Sequence, residues 1–153
     1  MSTDNIDMTA MVGAMGDAVV VCDAQGRVTV WNPAAERIFG FTQAEALGQR
    51  MDMIVPERLR KRHWDGYDKS METGKTRYAH DVLRVPAVDK AGRTLSIAFT
   101  VFMMYDTEGK VTACGSVIRD ETDRFNEDRA LRKRLVELEA QLAGQQLPGT
   151  PRP

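Results

Sequence analysis

A chain of 153 residues has the size of one ordinary domain, and its 42% hydrophobic and 28% charged residues are typical of a globular protein. The 21 basic and 22 acidic side chains almost cancel, so no long-range field attracts nucleic acid or an anionic membrane, and neither is expected as a partner. The apolar runs are too short to cross a membrane and the N-terminus lacks a secretory signal, which predicts a cytoplasmic protein.

The first segment, residues 1–16, predicts a short N-terminal cap helix. Met8, Met11, Val12 and Met15 have the spacing of one helix face. Because methionine side chains adapt to irregular surfaces, this face is expected to cover a sheet or to pair with a second copy of itself.

Residues 17–122 are the predicted folded domain. Runs of alternating apolar residues joined by tight turns indicate antiparallel strands, and helix-capping patterns indicate helices between them. The fold class is therefore α+β, with a five-stranded antiparallel sheet and helices on one side. In chain order, strands are predicted at 17–23 and 28–32, helices at 33–39, 42–48 and 56–72, and strands at 78–88, 94–105 and 111–119.

A charged amphipathic helix is predicted for residues 123–143, and residues 144–153, which contain Pro and Gly, are predicted to be a disordered tail. Leucines spaced four, three and four residues apart form a short coiled-coil seam, which favours a homodimer. These leucines are Leu131, Leu135, Leu138 and Leu142.

Two stretches of the chain match a known pattern: residues 17–23 followed by 31–41 (Trp-Asn-Pro-Ala-Ala-Glu-Arg-Ile-Phe-Gly-Phe), and residues 117–122 (Val-Ile-Arg-Asp-Glu-Thr). They resemble the opening and the close of the PAS domain, a family of sensory modules in which the last strand leads into a signalling helix. The resemblance covers about residues 17–124 and implies the PAS fold. The fold alone names no ligand, because this scaffold hosts haem, flavin, small acids or nothing.

Residues 51–67 are also similar to the haem-binding PAS domains of the FixL oxygen-sensor type and of bacterial oxygen-sensor phosphodiesterases. In those proteins a histidine on the long helix is the proximal iron ligand, and the matching position here is His63. The resemblance therefore implies haem b as cofactor and CO, NO or O2 as its gas ligand.

Further positions of the haem site carry over from the same resemblance. The basic residue that reaches a haem propionate falls on Lys69, which keeps the positive charge. The aliphatic residues of the distal wall fall on Phe99 and Val101, which lie on one face of their predicted strand.

The polar distal side of the haem site is not kept. The arginine that hydrogen-bonds bound oxygen falls on Leu83, and the distal methionine of the phosphodiesterases falls on Asp81. The neighbouring Arg84 is a candidate pocket residue only if it turns inward, since its strand position points it away. An apolar distal wall predicts that CO or NO binds well relative to O2.

Helix geometry alone places His63 on the same face as Leu59 and Ser70, directed inward, although packing in the core or a surface position remain open alternatives. His80 is expected to be exposed at the start of a strand. Met103 shares strand parity with the distal wall and is a candidate pocket residue, with core packing as the alternative.

Other chemistries find little support in the sequence. Cys22 and Cys114 lie far apart in sequence, do not form a metal-ligand pair and are expected as small buried residues. Flavin-adduct PAS domains carry a cysteine where residues 47–53 have none. No catalytic triad, phosphate loop or metal-spaced cluster is visible, so the chain is not expected to be an enzyme.

Three functions remain open at this point. The first is a haem PAS sensor that passes its signal to a partner such as a histidine kinase. The second is a cofactor-free PAS module for dimerisation and interaction. The third is a PAS pocket for a small metabolite or a non-covalently bound flavin.

Overall fold

The computed structural model describes residues 5–145, and the strands and helices of the folded domain follow the predicted order. The N-terminal helix α1 spans Met8–Ala14 and begins after Asp7, whose carboxylate accepts hydrogen bonds from two backbone N–H groups. The described helix is thus shorter than the predicted cap segment 1–16, because the aspartate fixes its first turn. Residues 1–4 of that segment lie outside the described residues.

Five strands form one sheet, in which every pair of neighbours is antiparallel. The strands lie in the order β2-β1-β5-β4-β3. This arrangement confirms the predicted α+β fold. The strands are β1 (Ala18–Asp23), β2 (Val28–Trp31), β3 (Leu83–Val88), β4 (Thr94–Tyr105) and β5 (Val111–Asp120).

Strand β3 is shorter than its sequence pattern predicts. The expected strand began at residue 78, whereas residues 77–80 form a turn and the strand begins at Leu83. The carbonyl of Tyr78 still accepts a hydrogen bond from the backbone N–H of Val101, so this segment lies beside β4 without being a strand. The polar residues 80 and 81 interrupt the alternation that a half-buried strand requires.

Helix α2 (Pro33–Phe39) has the predicted boundaries, with Asn32 as N-cap and Gly40 in the left-handed conformation at its end. Helix α3 (Gln43–Ala46) begins with the predicted capping box. The side chain of Asn32 is buried, and its Oδ1 accepts hydrogen bonds from the N–H groups of Val19, at 2.9 Å, and Ala35, at 3.1 Å. One side chain therefore holds β1 against the start of α2.

Helix α4 spans Arg60–Thr73, with Gly74 as its C-cap, and so ends one residue beyond the predicted end at 72 but begins later than residue 56. A 3-10 turn, Glu57–Leu59, replaces the expected first helical turn, and a second one, Met51–Met53, was not predicted. The hydrophobic core lies between the inner face of the sheet and these helical segments. Its largest fully buried side chains are Trp31, Phe39, Ile118, Val20 and Val28.

Among the described residues, a second compact unit begins at Thr122 and contains helix α5 (Thr122–Gln145). The helix runs two residues beyond the predicted end at 143, so the predicted tail 144–153 begins inside it, and residues 146–153 lie outside the described residues. Helix α5 buries none of its residues. Within the described residues, no helix is long and apolar enough to cross a membrane.

Candidate cofactor site on helix α4

The imidazole of His63 projects from α4 and is half-buried. Its Nδ1 atom is buried and has no hydrogen-bond partner. Buried polar atoms in proteins are almost always hydrogen-bonded, so an unpartnered imidazole nitrogen is a functional candidate. Helix α4 itself has no fully buried residue, in contrast to α2.

Polar side chains hold α4 to the segment before it. The guanidinium of Arg60 donates hydrogen bonds to the carbonyls of Val55, at 3.2 Å, and Asp52, at 3.1 Å. The indole Nε1 of Trp64 donates to Oδ1 of Asp52 at 2.6 Å. Hydrogen bonds, rather than buried apolar side chains, therefore fix the position of the first half of the helix.

Trp64 lies against the turn that joins β1 to β2. Its indole occupies the space where a side chain of Gly26 would be, since a Cβ built on that glycine would lie 2.4 Å from the ring. On the indole lies the guanidinium of Arg50, 4.1 Å from the ring centroid. The sequence predicts a tight turn between the first two strands but does not reveal that Trp64 and Arg50 lie beside it, because this contact depends on the position of α4.

Tyr67 follows His63 by one helical turn and donates its hydroxyl hydrogen to the carbonyl of Asp23, at the end of β1. The His63 ring lies 4.7 Å from the Trp64 ring, edge to face, and 6.3 Å from the Tyr67 ring. Two aromatic residues of the same helix thus restrict the orientation of the imidazole while they anchor α4 to the first hairpin.

Burial lowers the pKa of His63 below its usual value of 6.5, because the charged form loses hydration. The carboxylate of Asp52 raises this pKa and the guanidinium of Arg50 lowers it, and both effects are smaller than that of burial. The imidazole is therefore neutral at neutral pH. Neutral imidazole is the form that binds a metal ion.

The predicted distal residues share one face of the sheet. Leu83 is the register partner of Phe99, and Val101 and Met103 follow on the same face of β4. All four are half-buried, whereas Ile97 on the same face is buried. This end of the inner sheet face is thus only partly covered by the rest of the domain.

The remaining predicted site residues are exposed, unlike the half-buried apolar side chains of the sheet. Lys69 is exposed on α4, and Asp81 is exposed before β3. His80 is exposed as expected, although it lies in a turn and not at a strand start. Arg84 was a candidate only if it turned inward, and it does not do so here: its side chain is exposed and its Nε donates to Oε2 of Glu121 at 3.2 Å.

A cavity of about 460 Å³ lies beside α3 and the 3-10 turn Met51–Met53. It is lined by Phe41, Glu45, Gln49, Arg50, Asp52 and Met53. Two of these residues, Arg50 and Asp52, are also the partners of Trp64.

The ring contacts of His63 are with Trp64 and Tyr67, and the chemistry of this imidazole and of the apolar patch on the sheet is of the kind that haem requires. A neutral half-buried imidazole with an unpartnered nitrogen suits the axial position, and the half-buried apolar side chains of the sheet suit the faces of a flat ring. Among residues 5–145, His, Cys, Asp and Glu side chains do not come together in groups of three or more that could hold a metal ion. A single histidine is enough for haem, because the macrocycle of haem itself supplies the other ligands of its metal.

Comparisons with known proteins place these residues in a family. A family model described as PAS fold matches residues 12–125. The chain is 26% identical to the sensor protein FixL of Bradyrhizobium diazoefficiens over 93% of its length, and 26% identical to the oxygen sensor protein DosP of Escherichia coli over 88%. It is 30% identical to the signal transduction histidine-protein kinase AtoS of Escherichia coli over 84%. The chain spans 27%, 16% and 20% of the lengths of these three relatives.

Solved structures share the fold. A PAS domain from Colwellia psychrerythraea superposes with a TM-score of 0.66 at 20% identity, covering 75% of this chain and 94% of that one. An RNA-binding light-oxygen-voltage receptor superposes with a TM-score of 0.69 at 19% identity, covering 89% of this chain and 40% of the receptor. The family match spans most of the chain and agrees with the strand order and the fold of these structures, so the chain belongs to the PAS-fold family.

Proposed function

We propose that this chain is a PAS sensory module that binds haem b through His63 and responds to a diatomic gas or to redox state. The observation that carries the proposal is the half-buried, neutral imidazole with a buried Nδ1 that has no partner. Binding to iron would give a role to a group whose burial otherwise costs stability. The similarity to a protein named as an oxygen sensor supports the same interpretation.

His63 would hold the haem, which when bound would supply an iron atom able to bind CO, NO or O2. Leu83, Phe99 and Val101 form an apolar wall that donates no hydrogen bond. The exposed ammonium of Lys69 is available to pair with a propionate. The chain therefore favours CO or NO over O2, because O2 depends more on a hydrogen-bond donor.

Transmission of the signal follows from how α4 is attached. The helix has no fully buried residue, so a small displacement costs little packing energy. Trp64 and Tyr67 connect it to the β1–β2 hairpin, and β1 pairs along its whole length with β5, the last strand before α5. A shift of His63 would thus reach the end of the domain, from which a partner such as a histidine kinase would receive it.

The proposal is tested by visible absorption of the purified protein after incubation with haem. We expect a sharp Soret band that His63→Ala abolishes or strongly shifts. The matched control is His80→Ala, which removes the exposed histidine of the turn before β3 and should leave the spectrum unchanged. Equal haem uptake by the wild type and His63→Ala would refute the role of His63, and a yellow protein after incubation with flavin would instead support a flavin pocket.

A second candidate function is a cofactor-free, non-catalytic PAS module in the cytoplasm that dimerises and positions a partner. The exposed leucines of α5 favour dimerisation, since 67% of Leu131 and 56% of Leu135 are accessible in the single chain. Sedimentation should show a dimer at micromolar concentration that Leu135→Asp dissociates. A wild-type monomer would contradict the homodimer in either candidate function.

A further inference from the structure

Three sulfur-containing side chains lie in one row across the inner face of the sheet. Cys22 on β1 is the register partner of Cys114 on β5, and Cys114 is the register partner of Met103 on β4. Residues directly opposite each other on neighbouring strands point to the same side of a sheet. That side is the core side, because Cys22 belongs to the buried core cluster and is only 3% exposed.

The spacing of neighbouring strands suits a metal bridge between the two thiols. Cβ atoms of directly opposite residues lie about 4.5–5.5 Å apart. Two sulfur atoms bound to one ion, with metal–sulfur bonds of about 2.3 Å, are at most about 4.6 Å apart, so both cysteines can reach the same ion without movement of the backbone. Methionine has three rotatable side-chain bonds, which allows the Met103 thioether to reach the same point from the next strand.

The two thiols are available for such a bond. Both cysteines are free. Burial raises the pKa of both thiols, so each keeps its proton until an ion displaces it, and the further effect of Cys114 on the pKa of Cys22 agrees with the short distance that the register implies. The hydroxyl of the neighbouring Tyr67 already donates a hydrogen bond to the carbonyl of Asp23. The inner face therefore holds two thiols and a thioether together.

We propose that Cys22, Cys114 and Met103 form a three-sulfur binding site for a soft metal ion of the copper(I) class. Thiolate and thioether donors select soft ions, and copper(I) is satisfied by two or three sulfur ligands. Each bond to a cysteine replaces the thiol proton, which leaves to solvent, and the thioether binds without proton loss. No electron is transferred in this step. The bound ion would link three adjacent strands, β1, β5 and β4.

Competition for copper(I) against a coloured copper(I) chelator, under anaerobic and reducing conditions and without haem, tests the site. We expect the wild type to withdraw one ion per chain from the chelator. Cys22→Ala and Cys114→Ala should each abolish this withdrawal, and Met103→Leu should weaken it at least tenfold. The absence of haem keeps the result independent of the proposed role of His63.

Met104→Leu is the matched control, because Met104 is exposed on the opposite face of the same strand. It should bind copper(I) as the wild type does. Circular dichroism checks that each variant is folded, and Met103→Leu, a volume-conserving change, provides the test if either cysteine variant unfolds. A wild type that leaves all copper with the chelator, full binding by a folded cysteine variant, or equal weakening by Met103→Leu and Met104→Leu would overturn the proposal.

Discussion

Replacement of Gly26 by alanine tests whether the contact between Trp64 and the first hairpin holds α4 in place. Gly26 has a φ of 77°, in the left-handed region, and a Cβ at this position would lie 2.4 Å and 2.6 Å from two atoms of the Trp64 ring. Gly26→Ala therefore combines a backbone penalty with a steric one. The indole is also bonded to Asp52 at 2.6 Å and cannot move aside without straining that bond.

The two penalties can be separated with a second glycine. Gly92 has nearly the same φ, 80°, but has no atom within 4 Å of an added Cβ. Gly92→Ala should cost about 1–2 kcal/mol, the penalty for an L-residue in the left-handed region. Gly26→Ala should cost an additional amount of about 1–3 kcal/mol, which is typical of overpacking.

Urea denaturation followed by circular dichroism measures both free energies of unfolding. At about 2–4 °C per kcal/mol for a chain of this size, the two variants should also differ clearly in melting temperature. In a Trp64→Ala background, Gly26→Ala should cost no more than Gly92→Ala does, because the ring that causes the clash is then absent. Equal losses in Gly26→Ala and Gly92→Ala would show that Trp64 does not rest on the hairpin.

Three further predictions concern the site and its supports. Because burial holds the pKa of His63 below 6.5, the haem-free protein should lose stability as the pH falls below that value, and a stability that does not change as the pH falls from 7 would contradict this. Asp52→Asn removes a charge that raises the pKa of His63, so this pKa should be lower still in an NMR titration of the variant. Gly115→Ala should destabilise by about 1–3 kcal/mol in urea, because its Cβ would lie 2.1 Å from the Phe102 ring, and Phe102→Leu should relieve most of the loss. Asn32→Ala removes a buried N-cap whose side chain makes four hydrogen bonds, one of them to β1, and should cost about 2–4 kcal/mol in the same assay. A loss below about 0.5 kcal/mol would mean that water replaces these bonds.

The sequence by itself determined the elements whose boundaries depend on neighbouring residues. Asn32 and Pro33 define the start of α2, the Thr42–Glu45 capping box defines α3, and the glycine turns separate the strands. These signals are reliable because a cap or a tight turn is a contact over a few residues. The predicted starts of α4 and β3 were wrong, because weak local preferences at these places yield to tertiary contacts.

Only the tertiary structure decided which distant residues meet. The identification of His63 came from a resemblance over a short motif, but its neutral state depends on burial, and its orientation depends on contacts of α4 with Asp52, Gly26 and Asp23. The ion pair between Arg84 and Glu121, on the side of β3 away from the pocket, joins residues 37 positions apart in the sequence.

The two cysteines show most clearly that the sequence alone does not reveal which distant residues meet. In sequence, Cys22 and Cys114 are too far apart to be read as a ligand pair, yet the antiparallel pairing of β1 with β5 makes them direct neighbours, with Met103 beside them. No short turn joins β1 to β5, so their pairing arises from the packing of the whole sheet, and the spacing of the two cysteines in the sequence does not reveal it.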